Sequence, residues 1–286
     1  MGLADSDGIA WVNGQLLPAG EATLPLLDHG ITVGDGVFES MKVVAGRPFA
    51  LTRHLRRMAR SAAGLRLNFP GEAMLRLVVG EVLAANAAAL KDTTAVLRVT
   101  LTGGRGAIGS PRLPGAEPSL FALVTWHDLE PPETSVITVP FSRNQHGGLA
   151  GLKTTSYAEN VLAVEMARAK GASEALFPNT DGRLTEGTGS NVFLVLGGEL
   201  VTPPLSDGAL GGVTRDLLLE WTEAVERSVP MSALWEADEV FITSSFRNVQ
   251  AVVAADGHPV GGGRLGPVTQ GACEAFAAGE ARSFDP

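Results

Sequence analysis

Three tight-turn signals do most to limit what this chain can become. Asn13-Gly14 lies between Trp11-Val12 and Leu16-Leu17, and Gly197-Gly198 lies between Val192–Leu196 and Glu199–Thr202. Asn179-Thr180-Asp181-Gly182 follows the apolar stretch Glu174–Phe177. Such dipeptides supply positive backbone angles at no steric cost, so each site predicts a hairpin and an antiparallel strand pair. Between the hairpins run segments of helical period. Thr52 is expected to cap a helix that carries Leu55, Met58, Ala59 and Ala62 inward. A second helix is expected over about 72–90 on Leu75, Val78, Val79 and Val82, with others over 157–170, from Val213, and over about 266–278. Strands are expected at 36–44, 95–101, 120–125 and 136–140. Hairpins mixed with helices point to an α/β (α+β) chain with mixed sheets, not a regular βαβ alternation. The segment 126–134, with Pro131-Pro132 and several acids, reads as a linker between a small domain over 1–125 and a larger one over 135–286.

Composition narrows the function. With 286 residues and 45% hydrophobic side chains there is ample core, and a net charge of −9 argues against a nucleic-acid binder. The one basic cluster, Arg53, Arg56, Arg57 and Arg60, reads as a solvated helix face for three of its four members. Cys273 is the single cysteine, so no internal disulfide or cysteine-based zinc site is expected. No apolar run is long enough for a bilayer, and the first ten residues lack a signal pattern. The default reading is a soluble cytoplasmic protein without membrane partners.

Gly104-Arg105-Gly106-Ala107-Ile108-Gly109 matches the dinucleotide fingerprint, but that mechanism needs a helix to follow it. Ser110-Pro111-Arg112-Leu113-Pro114 cannot supply one. The segment reads as a mobile loop whose Arg105 and Arg112 are candidates for a substrate carboxylate, although a solvated charge is the simpler role for each.

Three segments carry more specific chemistry. Lys153 is one of four lysines and follows Gly147-Gly148-Leu149-Ala150-Gly151. A lysine placed at the mouth of a helix would be a good imine-forming nucleophile. Glu186 opens the Gly-rich turn Glu186-Gly187-Thr188-Gly189-Ser190-Asn191, where a carboxylate could meet a protonated pyridine nitrogen. Leu210-Gly211-Gly212-Val213-Thr214 leads into a helix whose first N–H groups suit an anion. Each has a bland alternative, namely a surface lysine, a solvated glutamate and an ordinary helix start. Their order and spacing together are specific.

With these segments in view, the sequence resembles the class IV aminotransferases, the fold-type-IV pyridoxal phosphate enzymes. The signature lies in Glu186 through Asn191-Val192-Phe193, Leu200-x-Thr202 and Leu210-x-x-Val213-x-Arg215. Asn13-Gly14, Gly34-Asp35-Gly36-Val37-Phe38-Glu39 and Gly266-Pro267-Val268-Thr269 extend the likeness over nearly the whole chain. The resemblance implies a two-domain enzyme with its active site at the domain interface, pyridoxal 5'-phosphate as cofactor, and a homodimer. Lys153 would be the Schiff-base lysine and proton shuttle, and Glu186 the partner of the pyridine nitrogen. His54-Leu55-Arg56-Arg57 is similar to the family's H-L-x-R and makes Arg57 the phosphate arginine. Gly212, Val213, Thr214, Ser244 and Ser245 would complete the phosphate cup, and Tyr157 would meet the 3'-oxygen.

The substrate is less legible. D-amino-acid members of the family carry a tyrosine where this chain has Phe38, and an Arg-x-His pair where it has Arg112-Leu113-Pro114. Branched-chain members carry a tyrosine where it has Val96. Strand alternation puts Val96, Arg98 and Thr100 on one face, so Arg98 is a candidate for the substrate carboxylate, with a structural ion pair as the alternative. Thr243–Gln250 resembles the corresponding loop of lyase-like and broad-specificity members, which adds Arg247. The resemblance implies a transaminase of relaxed or D/(R)-type preference acting on an amine or amino acid and a keto acid. An aminodeoxychorismate lyase and a non-catalytic cofactor-binding protein are the alternatives.

Overall fold

The computed structural model describes residues 8–126 and 130–286. Its contacts divide the chain into two compact units. The first comprises residues 1–128, Leu152–Tyr157 and Phe284–Pro286, and the second comprises 129–151 and Ala158–Ser283. Leu152–Tyr157, within the range expected for the later domain, therefore groups with the first unit. Of the expected linker, residues 127–129 lie outside the described residues, and Glu133 and Thr134 already belong to a strand. No helix among the described residues is long and apolar enough to cross a membrane.

The first unit is built on strands β1 (Ile9–Val12), β2 (Gln15–Pro18), β3 (Gly36–Val44), β4 (Arg47–Pro48), β5 (Thr94–Thr102) and β6 (Leu120–Trp126). They form one antiparallel sheet in the order β2-β1-β6-β5-β3-β4. Its helices are α1 (His29–Thr32), α2 (Leu51–Gly64), α3 (Glu72–Ala85) and α4 (Ala87–Leu90). Asn13 and Gly14 both take positive φ, 48° and 91°, as a two-residue hairpin requires. Val37, Met41 and Val43 of β3 join Leu97, Val99 and Leu101 of β5 in a core with Leu55 and Met58 of α2 and Leu75, Val78, Val79 and Val82 of α3. Alternation leaves Phe38 of β3, and Arg98 and Thr100 of β5, on the opposite face.

Two helix expectations need correction. The run over 72–90 breaks at Asn86, whose side chain binds both the N–H and the carbonyl of Ile9 at 2.8 Å. The amide gains more from pairing the start of β1 than from staying in a helix, where asparagine is a weak former. Thr52 is not a cap either: α2 opens from Ala50, which is left-handed (φ 53°) and provides no side-chain acceptor. The acceptor comes from the far end of the chain. Asp285 Oδ1 takes the Thr52 N–H at 2.8 Å and Oδ2 takes its hydroxyl at 2.5 Å. The Phe284 ring packs edge-on against Phe49 beside it. Asp285→Ala is therefore expected to cost about 1 kcal/mol in urea unfolding, the usual worth of an N-cap; an unchanged midpoint would remove the capping role.

The second unit holds β7 (Glu133–Thr138), β8 (Glu174–Pro178), β9 (Leu184–Gly187), β10 (Asn191–Leu196), β11 (Glu199–Thr202), β12 (Val225–Glu226), β13 (Glu239–Ser244), β14 (Asn248–Ala255) and β15 (His258–Pro259). The order is β12-β11-β10-β13-β14-β7-β8-β9, with β15 on β14. The β14/β7, β7/β8 and β11/β12 pairs are parallel and the others antiparallel, so this sheet is mixed. Helices α5 (Ala158–Ala169), α6 (Val213–Trp221), α7 (Ala233–Glu236) and α8 (Pro267–Arg282) accompany it. The segment 243–250, expected as a loop, is the close of β13, a short turn and the start of β14. These two strands lie at the centre of the sheet, and Phe241 of β13 stacks on Phe193 of β10 with centroids 4.8 Å apart.

Candidate active site

In the first unit, residues 153–156 run extended against the start of β3. Phe38 N–H donates to the Lys153 carbonyl at 3.1 Å and Thr155 N–H to that of Gly36 at 2.8 Å. Lys153 N–H donates to Ser61 Oγ of α2 at 3.1 Å. Gly36 has no room for a side chain, since a Cβ there would lie 2.9 Å from both the Leu101 carbonyl and Thr155 Oγ1. Lys153 is thus fixed by sheet-like pairing and not by a helix mouth: α5 begins five residues later, at Ala158. The expected helix-dipole effect on its amine has no basis here.

This backbone aims the Lys153 side chain at aromatic rings. Its Nζ lies 4.5 Å from the Phe38 centroid and 5.9 Å from that of Tyr157. Tyr157 and Phe38 meet edge to face at 5.3 Å. The Arg98 guanidinium lies 3.7 Å from the same Phe38 ring. Arg98 is half-buried, and no carboxylate pairs with it among the described residues. Burial lowers its pKa, with Tyr157 opposing. Thr100, two residues on along this face, has a buried hydroxyl with no hydrogen-bond partner.

Behind Phe38, on the core side of β3, sits a charged knot. Glu39 is fully buried, and Arg57 grips it with two hydrogen bonds, Nε to Oε1 at 2.8 Å and Nη2 to Oε2 at 2.7 Å. His54 Nδ1 lies 2.6 Å from Oε2. Burial pushes the Glu39 pKa up, but the charge and hydrogen bonds of Arg57 outweigh it and bring the value down to about 2. Burial lowers that of His54, against its bond to Glu39, and the charges of Arg57 and Lys153 add to the lowering. The sequence held a signal for this knot. His54, Arg57 and Ser61 fall at i, i+3 and i+7, inside the buried stripe of α2.

In the second unit, Glu186 lies on β9, directly across from Phe177 of β8, not in a turn as expected. Its Oε2 accepts the Leu210 N–H at 2.8 Å, and Arg143 Nε stands 3.5 Å from Oε1. The turn that follows is tied down by Glu174, which sequence reasoning missed. This buried carboxylate accepts the Ala175 and Thr188 N–H groups at 2.9 Å, the Thr188 hydroxyl, and Ser190 Oγ at 2.9 Å. Asn191 donates to the Leu210 carbonyl at 2.8 Å and presses on Gly212, where a Cβ would come 1.9 Å from its Oδ1. That contact requires glycine at the start of α6. Gly212 supplies no side-chain cap to the first N–H groups of α6. Thr243 Oγ1 is buried without a partner, and Ser244 Oγ accepts the Arg247 N–H at 3.1 Å, next to Ser245 in the turn.

The other arginine candidates are engaged elsewhere. Arg112 is a strut, bidentate to Asp35 at 2.7 and 2.5 Å and donating to the Leu65 and Arg66 carbonyls at 2.9 Å. Arg105 lines a separate hollow with Trp11, Asn13, Met74 and Glu117. Arg247, in the second unit, donates to Gln250 and Ser173 and pairs with Glu130 at 3.7 Å. Arg98 alone of the four is grouped with Lys153.

This site can be set against known proteins. The amino-transferase class IV family model matches residues 36–255. A putative branched-chain-amino-acid aminotransferase of Methanocaldococcus jannaschii is 33% identical over 277 residues, covering 93% of this chain and 94% of the relative. A D-alanine aminotransferase of Bacillus licheniformis is 32% identical, covering 90% and 92%. Among solved structures, the branched-chain aminotransferase of the archaeon Thermoproteus uzoniensis with norvaline superposes with a TM-score of 0.86 at 28% identity, covering 94% of this chain and 93% of that one. The chain belongs to the class IV aminotransferases. These are pyridoxal 5'-phosphate enzymes.

Proposed function

We propose that this enzyme transfers an amino group between an amino acid and a 2-keto acid, with D/(R)-type or relaxed preference for the donor. The observation that carries this reading is the half-buried Arg98 cation, stacked on Phe38 beside Lys153 and lacking a carboxylate. A half-buried cation without a counter-charge is unfavourable, and an incoming carboxylate relieves it. The walls, Phe38 and Tyr157, are largely apolar. Val96 and Phe38 stand where branched-chain and D-amino-acid members respectively carry a tyrosine, so those hydrogen-bonding demands are absent. Apolar walls distinguish one methylene from the next by only about 1–3 kcal/mol, which favours broad acceptance.

The residues present fit pyridoxal 5'-phosphate. When bound, the cofactor supplies an aldehyde that takes up the amino group and a ring that withdraws electrons from the substrate carbon. Lys153 Nζ is the nucleophile that holds the cofactor and the base that moves the proton. Glu186 meets the ring nitrogen. The N–H groups of Val213 and Thr214 suit the phosphate, and Gly212, Ser244, Ser245 and Arg57 are assigned to it as well. Tyr157 is assigned to the 3'-oxygen.

A panel of D-alanine, L-leucine and (R)-1-phenylethylamine, each with a 2-keto acid, tests the reading. Arg98→Met is expected to raise KM for the amino acids roughly tenfold to a hundredfold, the worth of a charge-assisted contact, and to spare the uncharged amine. Turnover that does not depend on the keto acid, or pyruvate release from aminodeoxychorismate in its absence, would replace transfer by lyase chemistry. We also propose a homodimer, supported by Leu26, Ile31, Val33 and Ile108, which the first unit exposes by 82%, 54%, 43% and 88%. Sedimentation should then give twice the 29.7 kDa chain mass; a monomer at micromolar concentration would refute it.

A further inference from the structure

Arg143 is half-buried against three elements of the second unit, and neither the sequence motifs nor the family signature singles it out. Its guanidinium lies 4.1 Å from the centroid of Phe177. Phe177 is the cross-strand partner of Glu186, and directly opposed residues of an antiparallel pair project from the same face. Stacking on Phe177 therefore carries Arg143 to the Glu186 side chain, where Nε stands 3.5 Å from Oε1. Nη1 is already engaged, donating to Glu159 at 3.0 Å and to Asn160 Oδ1 at 3.2 Å. Nε is different: it is buried without a formed hydrogen bond, and the Glu186 carboxylate faces it at ion-pair distance. The Leu210 N–H holds the other Glu186 oxygen at 2.8 Å. Asn160 in turn donates to the Thr188 carbonyl, in the turn that leaves Glu186.

We propose that Arg143 is a positioning residue for the reaction, aiming the Glu186 carboxylate and balancing its charge while Glu186 faces the ring nitrogen of the cofactor. The inference rests on the reading of Glu186 given above. Glu186 Oε2 is held by a backbone N–H, and Arg143 brings its charge to Oε1. An arginine whose Nη1 is anchored and whose plane is stacked offers Nε there as a fixed donor with a full charge behind it. A glutamate without this companion would keep its place in β9 but lose the positive charge beside Oε1. The effect should appear in the chemical step and in the electronic state of the cofactor, and hardly at all in substrate binding.

The test compares Arg143→Met, Arg143→Lys and Glu186→Gln, each loaded with pyridoxal 5'-phosphate. Three readings are taken: the pH midpoint of the visible cofactor band, kcat and KM separately, and the thermal midpoint of the loaded protein. Arg143→Met should lower kcat about tenfold with KM within about twofold, a loss of roughly 1.4 kcal/mol in the transition state only. It should also move the band midpoint in the same direction as Glu186→Gln, and Arg143→Lys should recover part of that shift. If Arg143→Met changes only the thermal midpoint while Glu186→Gln moves the band and kcat, Arg143 is merely structural and the inference fails alone. If Glu186→Gln also leaves band and kcat unchanged, the reading of Glu186 fails and takes this inference with it.

Discussion

Lys153→Ala should reduce amino transfer by at least about 10²–10⁴-fold, the share that a positioned proton-transfer group alone supplies, and more because the nucleophile goes with it. The fold should survive. The bonds that hold this segment are made by backbone atoms, the Lys153 carbonyl to Phe38 and its N–H to Ser61 Oγ, and alanine keeps both. What is lost is the amine against the Phe38 ring. The thermal midpoint should therefore move little while turnover disappears. A second measurement separates Lys153 from other lysines. Lys91 and Lys170 are exposed, but Lys42 is buried, with its amine 5.3 Å from the Phe49 centroid, and is the one buried rival. Borohydride reduction of the yellow protein should fix cofactor mass on the Lys153 peptide and leave the Lys42 peptide unmodified. Mass on Lys42, or retained activity in Lys153→Ala, would end the assignment.

How much of this could be read from the sequence depended on whether the physical cause was local. Asn13-Gly14 and Gly197-Gly198 gave hairpins because a two-residue turn needs positive φ at both positions, and these residues accept it cheaply. The faces of β5 followed from simple alternation, and with them the placement of Arg98. The glycine at 212 was legible because backbone must come close to something there, namely the Asn191 side chain. Long-range partnerships left no such trace. Asp285 caps α2 from 233 residues away, Asp35 claims Arg112 from 77 away, and Asn86 leaves its helix to bind Ile9. A threonine before an amphipathic stripe looks like a cap whether or not another residue takes the task. The hairpin β13–β14 was missed for a different reason. The Ser-Ser-Phe-Arg run at its turn drew the eye as a loop, although Glu239–Ile242 and Val249–Ala255 on either side are apolar and rich in β-branched residues, as central strands are.

The second large effect is one of stability, and it concerns the carboxylate behind the candidate site. Glu39→Gln should destabilise the protein by about 3–5 kcal/mol at pH 7, because it leaves the buried Arg57 guanidinium without its counter-charge. Its pH dependence can be derived from the direction of the shifts. The folded-state pKa of Glu39 lies near 2, below its ordinary 4.5. The stabilisation is therefore complete above pH 4.5 and is lost as the pH falls through that interval towards 2. Its size is about 3 kcal/mol, from 1.36 kcal/mol per pKa unit. His54 acts earlier in the same direction: buried and neutral, with a pKa below its ordinary 6.5, it adds stability above 6.5 that declines on acidification. In urea unfolding the wild type should thus weaken first below about pH 6.5 and again below 4.5. Glu39→Gln should lack the second fall, so the gap between the two proteins closes by about 3 kcal/mol towards pH 2. A gap that stays constant from pH 7 to pH 3 would mean that Glu39 is not held as a buried anion by Arg57. The consequence for function follows from the same geometry. Arg57 has two nitrogens committed to Glu39, so the phosphate role proposed for it depends on that grip. Glu39→Gln should therefore also weaken retention of pyridoxal 5'-phosphate during dialysis at pH 7, where the charge on Glu39 would otherwise keep the guanidinium in place.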